Sequence, residues 1–202
     1  MPRPKRVREP GIVQHVMNRG NRKKRIFNDE DDFRLFTQLL GAATDRFAMR
    51  LLAYCVMPNH FHLVVWPSAG DAISAYMRWL TGTHAQHYHR AHDLTGTGHL
   101  YQDRYRSVPV ESDFHLLTVL RYVEANPLRA GLVSRAEHWQ WSSLSERTRR
   151  SGPTLTDSPI VRPLDWLDRV NAPDESLERL RHSVSTGVPY GTQKWSVEVM
   201  TP

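Results

Sequence analysis

His60-Phe61-His62 sets two imidazoles at positions i and i+2, and on a β-strand such residues point to the same face. Two ring nitrogens side by side can hold one divalent metal, while the intervening Phe61 turns into the core. The run that follows, Leu63-Val64-Val65-Trp66, marks an internal strand, where imidazoles without partners are costly. A second pair stands further along the chain. Tyr122 and Asn126 have helical spacing and share a face that is distinct from most of the leucine stripe around them. If the two faces meet, the Asn126 amide oxygen completes a ligand set with His60 and His62 and leaves positions for a phosphate oxygen and water. Tyr122 then stands beside a phosphate held by metal. A phenol titrates near about pH 10 and attacks only where a cation or base offsets the developing charge. The same Tyr-x-x-x-Asn-Pro spacing also suits a tyrosine in the core and an asparagine capping a helix before proline, so spacing alone decides little.

A sheet and a later helix must bring these residues together. The segment from Gly11, IVQHVMN, reads as a short strand and is followed by a basic turn, Arg19 to Arg25. Asp29 to Phe47 carries apolar residues at helical spacing with acids in its first turn. Arg50 to Met57 and His60 to Trp66 are apolar runs joined by a tight Pro58-Asn59 turn. Asp71 to about His92 has the length of a helix, with Ile73, Met77, Leu80 and Tyr88 on one side. SVPV at 107–110 reads as a strand held at an edge by Pro109. Asp113 to Ala125 is a third helix, N-capped by Asp113 and ending around Asn126 because Pro127 disfavours helical geometry before it. This order predicts an α+β fold, an antiparallel sheet with helices packed on it, similar to a ferredoxin-like fold. The organisation expected is a basic N-terminal arm over 1–10, a compact domain over 11–145 and a basic, Pro-rich extension over 146–202 with little core of its own.

The 202 residues carry 27 Lys and Arg against 21 Asp and Glu, a net charge of +6 before any of the 11 histidines is counted. That excess favours a polyanion, nucleic acid first. Arg19, Arg22, Lys23, Arg104 and Arg106 are candidates for phosphate contacts, with Tyr101 and Tyr105 offering faces on which bases can stack. His84, His87, His89 and His92 read as a polar helix face, and Trp139 and Trp141 as packing anchors. No run approaches the roughly 20 apolar residues of a membrane span. The basic start is followed by no apolar stretch of the secretory type. Cys55, the one cysteine, cannot form an intramolecular disulfide, and a cytoplasmic location is expected.

VMPNHFHLVV resembles the histidine, hydrophobic, histidine (HUH) motif of single-tyrosine transposases, and RYVEANPLRAGLV is similar to their catalytic helix. HVMNRGNRKKRIF, LYQDRYRS and HWQWSSL extend the likeness, in order, over roughly residues 11–145 to the branch called REP-associated tyrosine transposases. SVSTGVPYGTQKW resembles the end of longer members more loosely. The resemblance implies an HUH endonuclease-like fold and a metal-dependent single-stranded DNA endonuclease and strand transferase, a transposase acting beside a DNA hairpin. His60, His62 and Asn126 would bind Mg2+ or Mn2+, and Tyr122 would form a 5′-phosphotyrosine, in a monomer or homodimer. Gln14 replaces a common aromatic residue and Asp103 a usual glycine, departures that bear on hairpin affinity more than on chemistry. The alternative is a catalytically idle hairpin-binding regulator that keeps the fold and the basic surface. A histidine-triad hydrolase would need a further histidine at 64, where this chain has Val64.

Overall fold

The computed structural model describes residues 10–69, 72–149, 153, 155–174 and 177–201. The expected N-terminal arm lies, apart from Pro10, outside the described residues. β1 (Val13–Arg19), α1 (Glu30–Arg46), β2 (Arg50–Met57), β3 (His60–Trp66), α2 (Ala72–Ala91) and β4 (Arg106–Val110) follow in chain order. The strands form one four-stranded sheet, β2-β3-β1-β4, with every neighbouring pair antiparallel. This is the ferredoxin-like arrangement within an α+β fold. The Asp29 carboxylate accepts from the Asp31 and Asp32 amides and starts α1 with acids crowded at its positive end.

Strand alternation divides the core in two. Val16, Val56, Phe61, Leu63 and Val65 face α1 and α2 and pack with Phe33, Phe36, Leu40, Tyr76, Met77 and Leu80. Val13, Cys55, Met57, Val64 and Val108 face the other way, onto α3 (Phe114–Glu124), meeting Leu116, Val119, Leu120 and Val123. Asp113 caps α3 by accepting from the His115 amide. The regular helix stops at Ala125, and Asn126 opens a short turn, α4 (Asn126–Arg129), with Pro127 in a first-turn position that tolerates its missing N–H.

The chain after 140 adds α5 (Ser143–Arg149), α6 (Trp166–Asn171), α7 (Glu178–Thr186) and α8 (Gln193–Met200). Trp166, Val170, Leu177, Leu180, Val184 and Tyr190 join the core under α3. Arg121 donates to the carbonyls of Arg169, Ala172 and Pro173 and pairs with Asp174. Glu124, fully buried, accepts from the Ser143 hydroxyl at 2.9 Å and the Trp166 indole at 2.7 Å. Both outer strands are covered. Tyr190 brackets β4 through its amide to the Pro109 carbonyl and its carbonyl to the Glu111 amide. Along β2, the Val56 amide donates to Trp141 and the Leu51 carbonyl accepts from Thr156. A register shift between Leu51 and Ala53 marks a bulge at Leu52, whose carbonyl takes the guanidinium groups of Arg147 and Arg162. Among the described residues, no helix is long and apolar enough to cross a membrane.

Removing the Glu124 carboxylate leaves two buried donors without acceptors and removes the anion 3.7 Å from Arg162. Glu124→Ala is expected to lower the unfolding free energy by about 3 kcal/mol. The midpoint of urea denaturation measures this, and an unchanged midpoint would show that the buried carboxylate contributes nothing.

Candidate active site

The register Met17↔His62 and Arg19↔His60 puts His15, Met17 and Arg19 on the same sheet face as His60 and His62, the face that α3 covers. The two rings of the His60-Phe61-His62 tripeptide are adjacent, with centroids 5.0 Å apart. Tyr122 projects onto them from the last turn of α3, its ring perpendicular to His62 with centroids 5.8 Å apart. Its carbonyl is among the last four of the helix, which lack backbone partners. That carbonyl instead accepts from Asn126 Nδ2 at 3.2 Å and Arg129 Nη2 at 2.7 Å. The Arg129 guanidinium lies 4.3 Å from the centroid of the Tyr122 ring, a cation–π contact that holds the ring in place. The expected histidines and tyrosine thus meet, and Asn126 lies one turn beyond Tyr122 with its side-chain nitrogen bonded to the Tyr122 carbonyl.

Hydrogen bonding fixes the ring chemistry. Asn59 Nδ2 donates to the Lys23 carbonyl at 3.1 Å, which turns its oxygen toward His60 Nδ1 at 2.6 Å. An amide oxygen only accepts, so His60 carries its proton on Nδ1 and presents Nε2 as a bare lone pair. His62 Nδ1 meets His15 Nε2 at 2.9 Å, which likewise leaves His62 Nε2 as the atom open to a cation. Desolvation, reinforced by the nearby Arg19 charge, holds His60 down at about 4. Burial and the positive charges of its neighbours lower His62 well below the usual imidazole range. Neutral imidazoles with Nδ1 occupied are the donor set that a divalent cation takes, and the free amide oxygen of Asn126 suits the same ion. The residues fit the implied metal.

The basic turn belongs to the same assembly. A Cβ on Gly20 would collide with the Lys24 carbonyl and the Ile26 side chain, so glycine allows the chain to fold tightly there. The Gly20 amide donates to the Asn59 carbonyl, and the Ile26 and Phe27 amides to that of Pro58. The turn residues Asn21 to Arg25 are exposed, as are Arg104 and Arg106, while Arg19 is half-buried. Arg106 donates to the Ser185 carbonyl. Tyr105 is half-buried and its hydroxyl lies 3.2 Å from that of Ser74. Tyr101 is turned inward, its hydroxyl 2.7 Å from His84 Nδ1 and its ring edge-on to Phe61. His84 is fully buried between Phe27 and Phe36, because it continues the apolar stripe of α2; the polar helix face expected from His84, His87, His89 and His92 does not include it.

Two site residues had no assigned role in the sequence reading. His15 lies diagonally across from His62, a relation that strand register alone reveals. Arg129 is seven residues beyond Tyr122, and with the helix interrupted at Ala125 its guanidinium lies over the ring. A separate group, Glu111, Asp113 and His115, has ligand atoms within 4.8 Å of one another. It lies at the start of α3, beyond the opposite end of β1 from His60. Asp113 caps α3 and bonds the His115 ring, and Glu111 accepts from Thr192, so these groups already join the helix start to the C-terminal segment.

The family model described as Transposase IS200 like matches residues 10–126, more than half of the chain. No curated protein sequence matches it. Among solved structures, a REP-associated tyrosine transposase bound to a REP hairpin is similar at 16% identity and a TM-score of 0.62, covering 80% of this chain and 95% of that one. A candidate transposase from Deinococcus radiodurans has 19% identity and a TM-score of 0.44, over 61% of this chain and 96% of that one. The tRNA(His) guanylyltransferase of Saccharomyces cerevisiae has 11% identity and a TM-score of 0.47, over 92% and 82%.

Burial lowers His15 to about 4 and His84 to about 3 from the ordinary 6.5. Both are neutral in the folded protein, whereas the unfolded chain binds protons below about pH 6.5. Stability is therefore unaffected above that pH and is lost as the pH falls toward the folded values, by up to about 1.4 kcal/mol per pH unit for each ring. Urea unfolding between about pH 7 and pH 5, above most carboxylate titration, reads this loss. His84→Gln flattens the slope; an identical slope in the variant would remove His84 from the account.

Proposed function

Because the chain belongs to the IS200-like transposase family, we propose that it is a metal-dependent single-stranded DNA endonuclease and strand transferase that cleaves beside a DNA hairpin. The observation that carries this reading is the perpendicular contact of the Tyr122 ring with His62, beside His60, on one buried sheet face. Tyr122 is the nucleophile. Its oxygen forms a bond to the scissile phosphorus while the bond to the 3′ oxygen breaks, giving a 5′-phosphotyrosine and a free 3′-hydroxyl, the proton lost by the phenol passing through solvent to the leaving 3′ oxygen. The linkage keeps the phosphodiester energy, so the 3′-hydroxyl of another strand can displace tyrosine and reseal DNA without a nucleotide cofactor. His60, His62 and Asn126 would hold Mg2+ or Mn2+, which would supply charge stabilisation to the phosphoryl oxygen. Arg129 keeps the attacking ring in position through its contact with the ring face and its bond to the Tyr122 carbonyl.

Exposed Arg22, Lys23, Arg104 and Arg106, with half-buried Arg19, supply phosphate contacts around that face. The REP-hairpin complex to which the fold is similar supports a folded single strand as substrate. The tyrosines expected to stack on bases, Tyr101 and Tyr105, are both half-buried, with hydroxyls bonded to His84 and Ser74, so stacking would use the exposed part of either ring. The protein acts as a monomer or homodimer.

Tyr122→Phe is expected to abolish the covalent adduct with a single-stranded hairpin oligonucleotide, seen as a shifted band on denaturing electrophoresis, with hairpin affinity within about twofold of wild type. An undiminished adduct would move the assignment to another tyrosine. A wild-type chain that binds hairpins but never cleaves with Mn2+ would instead favour the idle regulator. His60→Ala and His62→Ala should each lower Mn2+-dependent cleavage by at least about a hundredfold, and cleavage persisting in a chelator would count against the metal.

A further inference from the structure

His15 is a histidine in a place built for an apolar side chain. It is 1% exposed, opposite Val64 in one neighbouring strand and Val108 in the other. Among the described residues its Nδ1 finds no hydrogen-bond partner, although it is fully buried. A valine or phenylalanine would avoid the cost of that buried, unpaired nitrogen. The other ring nitrogen accounts for the choice: Nε2 lies 2.9 Å from His62 Nδ1, the two rings are nearly parallel, at 18°, with centroids 5.1 Å apart, and the Tyr122 ring meets His15 edge-on at 6.0 Å.

We infer that His15 is a positioning residue: by accepting the Nδ1 proton of His62 it fixes that ring's tautomer and orientation, and so aims His62 Nε2 at the divalent cation. The inference rests on the metal reading of His60 and His62. It makes the site symmetrical in construction, since Asn59 does for His60 what His15 does for His62. The two supports come from different parts of the chain, a tight turn and a neighbouring strand. A partner on the remote nitrogen of a ligating imidazole holds the ring for the metal, and its loss commonly weakens metal affinity by about 10- to 100-fold.

The test is Mn2+ binding to the full-length chain without DNA, followed by electron paramagnetic resonance of the free ion, in wild type, His15→Gln, His15→Phe and His62→Ala. His15→Phe fills the space without an acceptor and should weaken binding about 10- to 100-fold. His15→Gln offers an amide oxygen near the Nε2 position and should recover affinity to within a few-fold of wild type. If His15→Phe binds Mn2+ as wild type does while His62→Ala fails, the role of His15 is overturned and the metal reading stands. Equal losses in the Gln and Phe variants also overturn it, because ring shape rather than the hydrogen bond is then responsible. Unchanged binding in His62→Ala overturns the metal reading itself and the inference with it. Should the His15 variants not fold, nitrogen-15 spectra of the wild-type histidines with Mg2+ present decide the question: His62 should carry its proton on Nδ1, and a bare Nδ1 overturns the assignment.

Discussion

A neutral imidazole has one nitrogen that donates and one that accepts, and on the covered face of a sheet water is not there to satisfy either. Two such rings at alternate strand positions are tolerable only where neighbours settle which nitrogen bears the proton. Much of the architecture around the tripeptide serves that condition. Asn59 faces His60 because its own amide is held by the Lys23 carbonyl, and Lys23 is within reach because Gly20 lets the basic turn lie against the Pro58-Asn59 hairpin. The exposed positive charges of the turn and the proton on His60 are therefore coupled through one short hydrogen-bonded chain.

The helix that delivers Tyr122 is shaped by an interruption. An unbroken helix would carry Arg129 well along the axis from Tyr122. The stop at Ala125 and the proline-started turn after it bring Arg129 back to the Tyr122 carbonyl and the face of its ring. The ring then has two holds, the guanidinium over its face and the perpendicular contact with His62. On the outer side of α3, Arg121 and Glu124 join the helix to the chain beyond 160, so the rigidity of the tyrosine's support depends on residues far from it in sequence.

Period-two spacing put His60 and His62 on one face, while Tyr122 stood out only through the resemblance of its helix to a known family; the strand and helix limits around them agree to within a residue or two of those read from Pro58, Asp29, Asp113 and Pro127. His15 was not legible in the same way, because its meeting with His62 depends on the register between β1 and β3, which no local pattern states. His84 occupies the next step of the Ile73, Met77, Leu80 series, and its polar type hid a position that spacing places in the core. Tyr101 could not be sorted from Tyr105, since a loop has no period to distinguish inward from outward side chains. The helices beyond 160 are short, and their burial arises from contacts with α3 and β4 rather than from an apolar stripe strong enough to announce itself.

The C-terminal chain has a consequence for self-association. An open β-sheet ends in rows of unpaired amides and carbonyls that can template another chain. Here Tyr190 caps one border, and Trp141, Thr156 and the two guanidinium groups at the Leu52 bulge occupy the other. A second molecule that extended the ladder at these positions would first have to displace these segments.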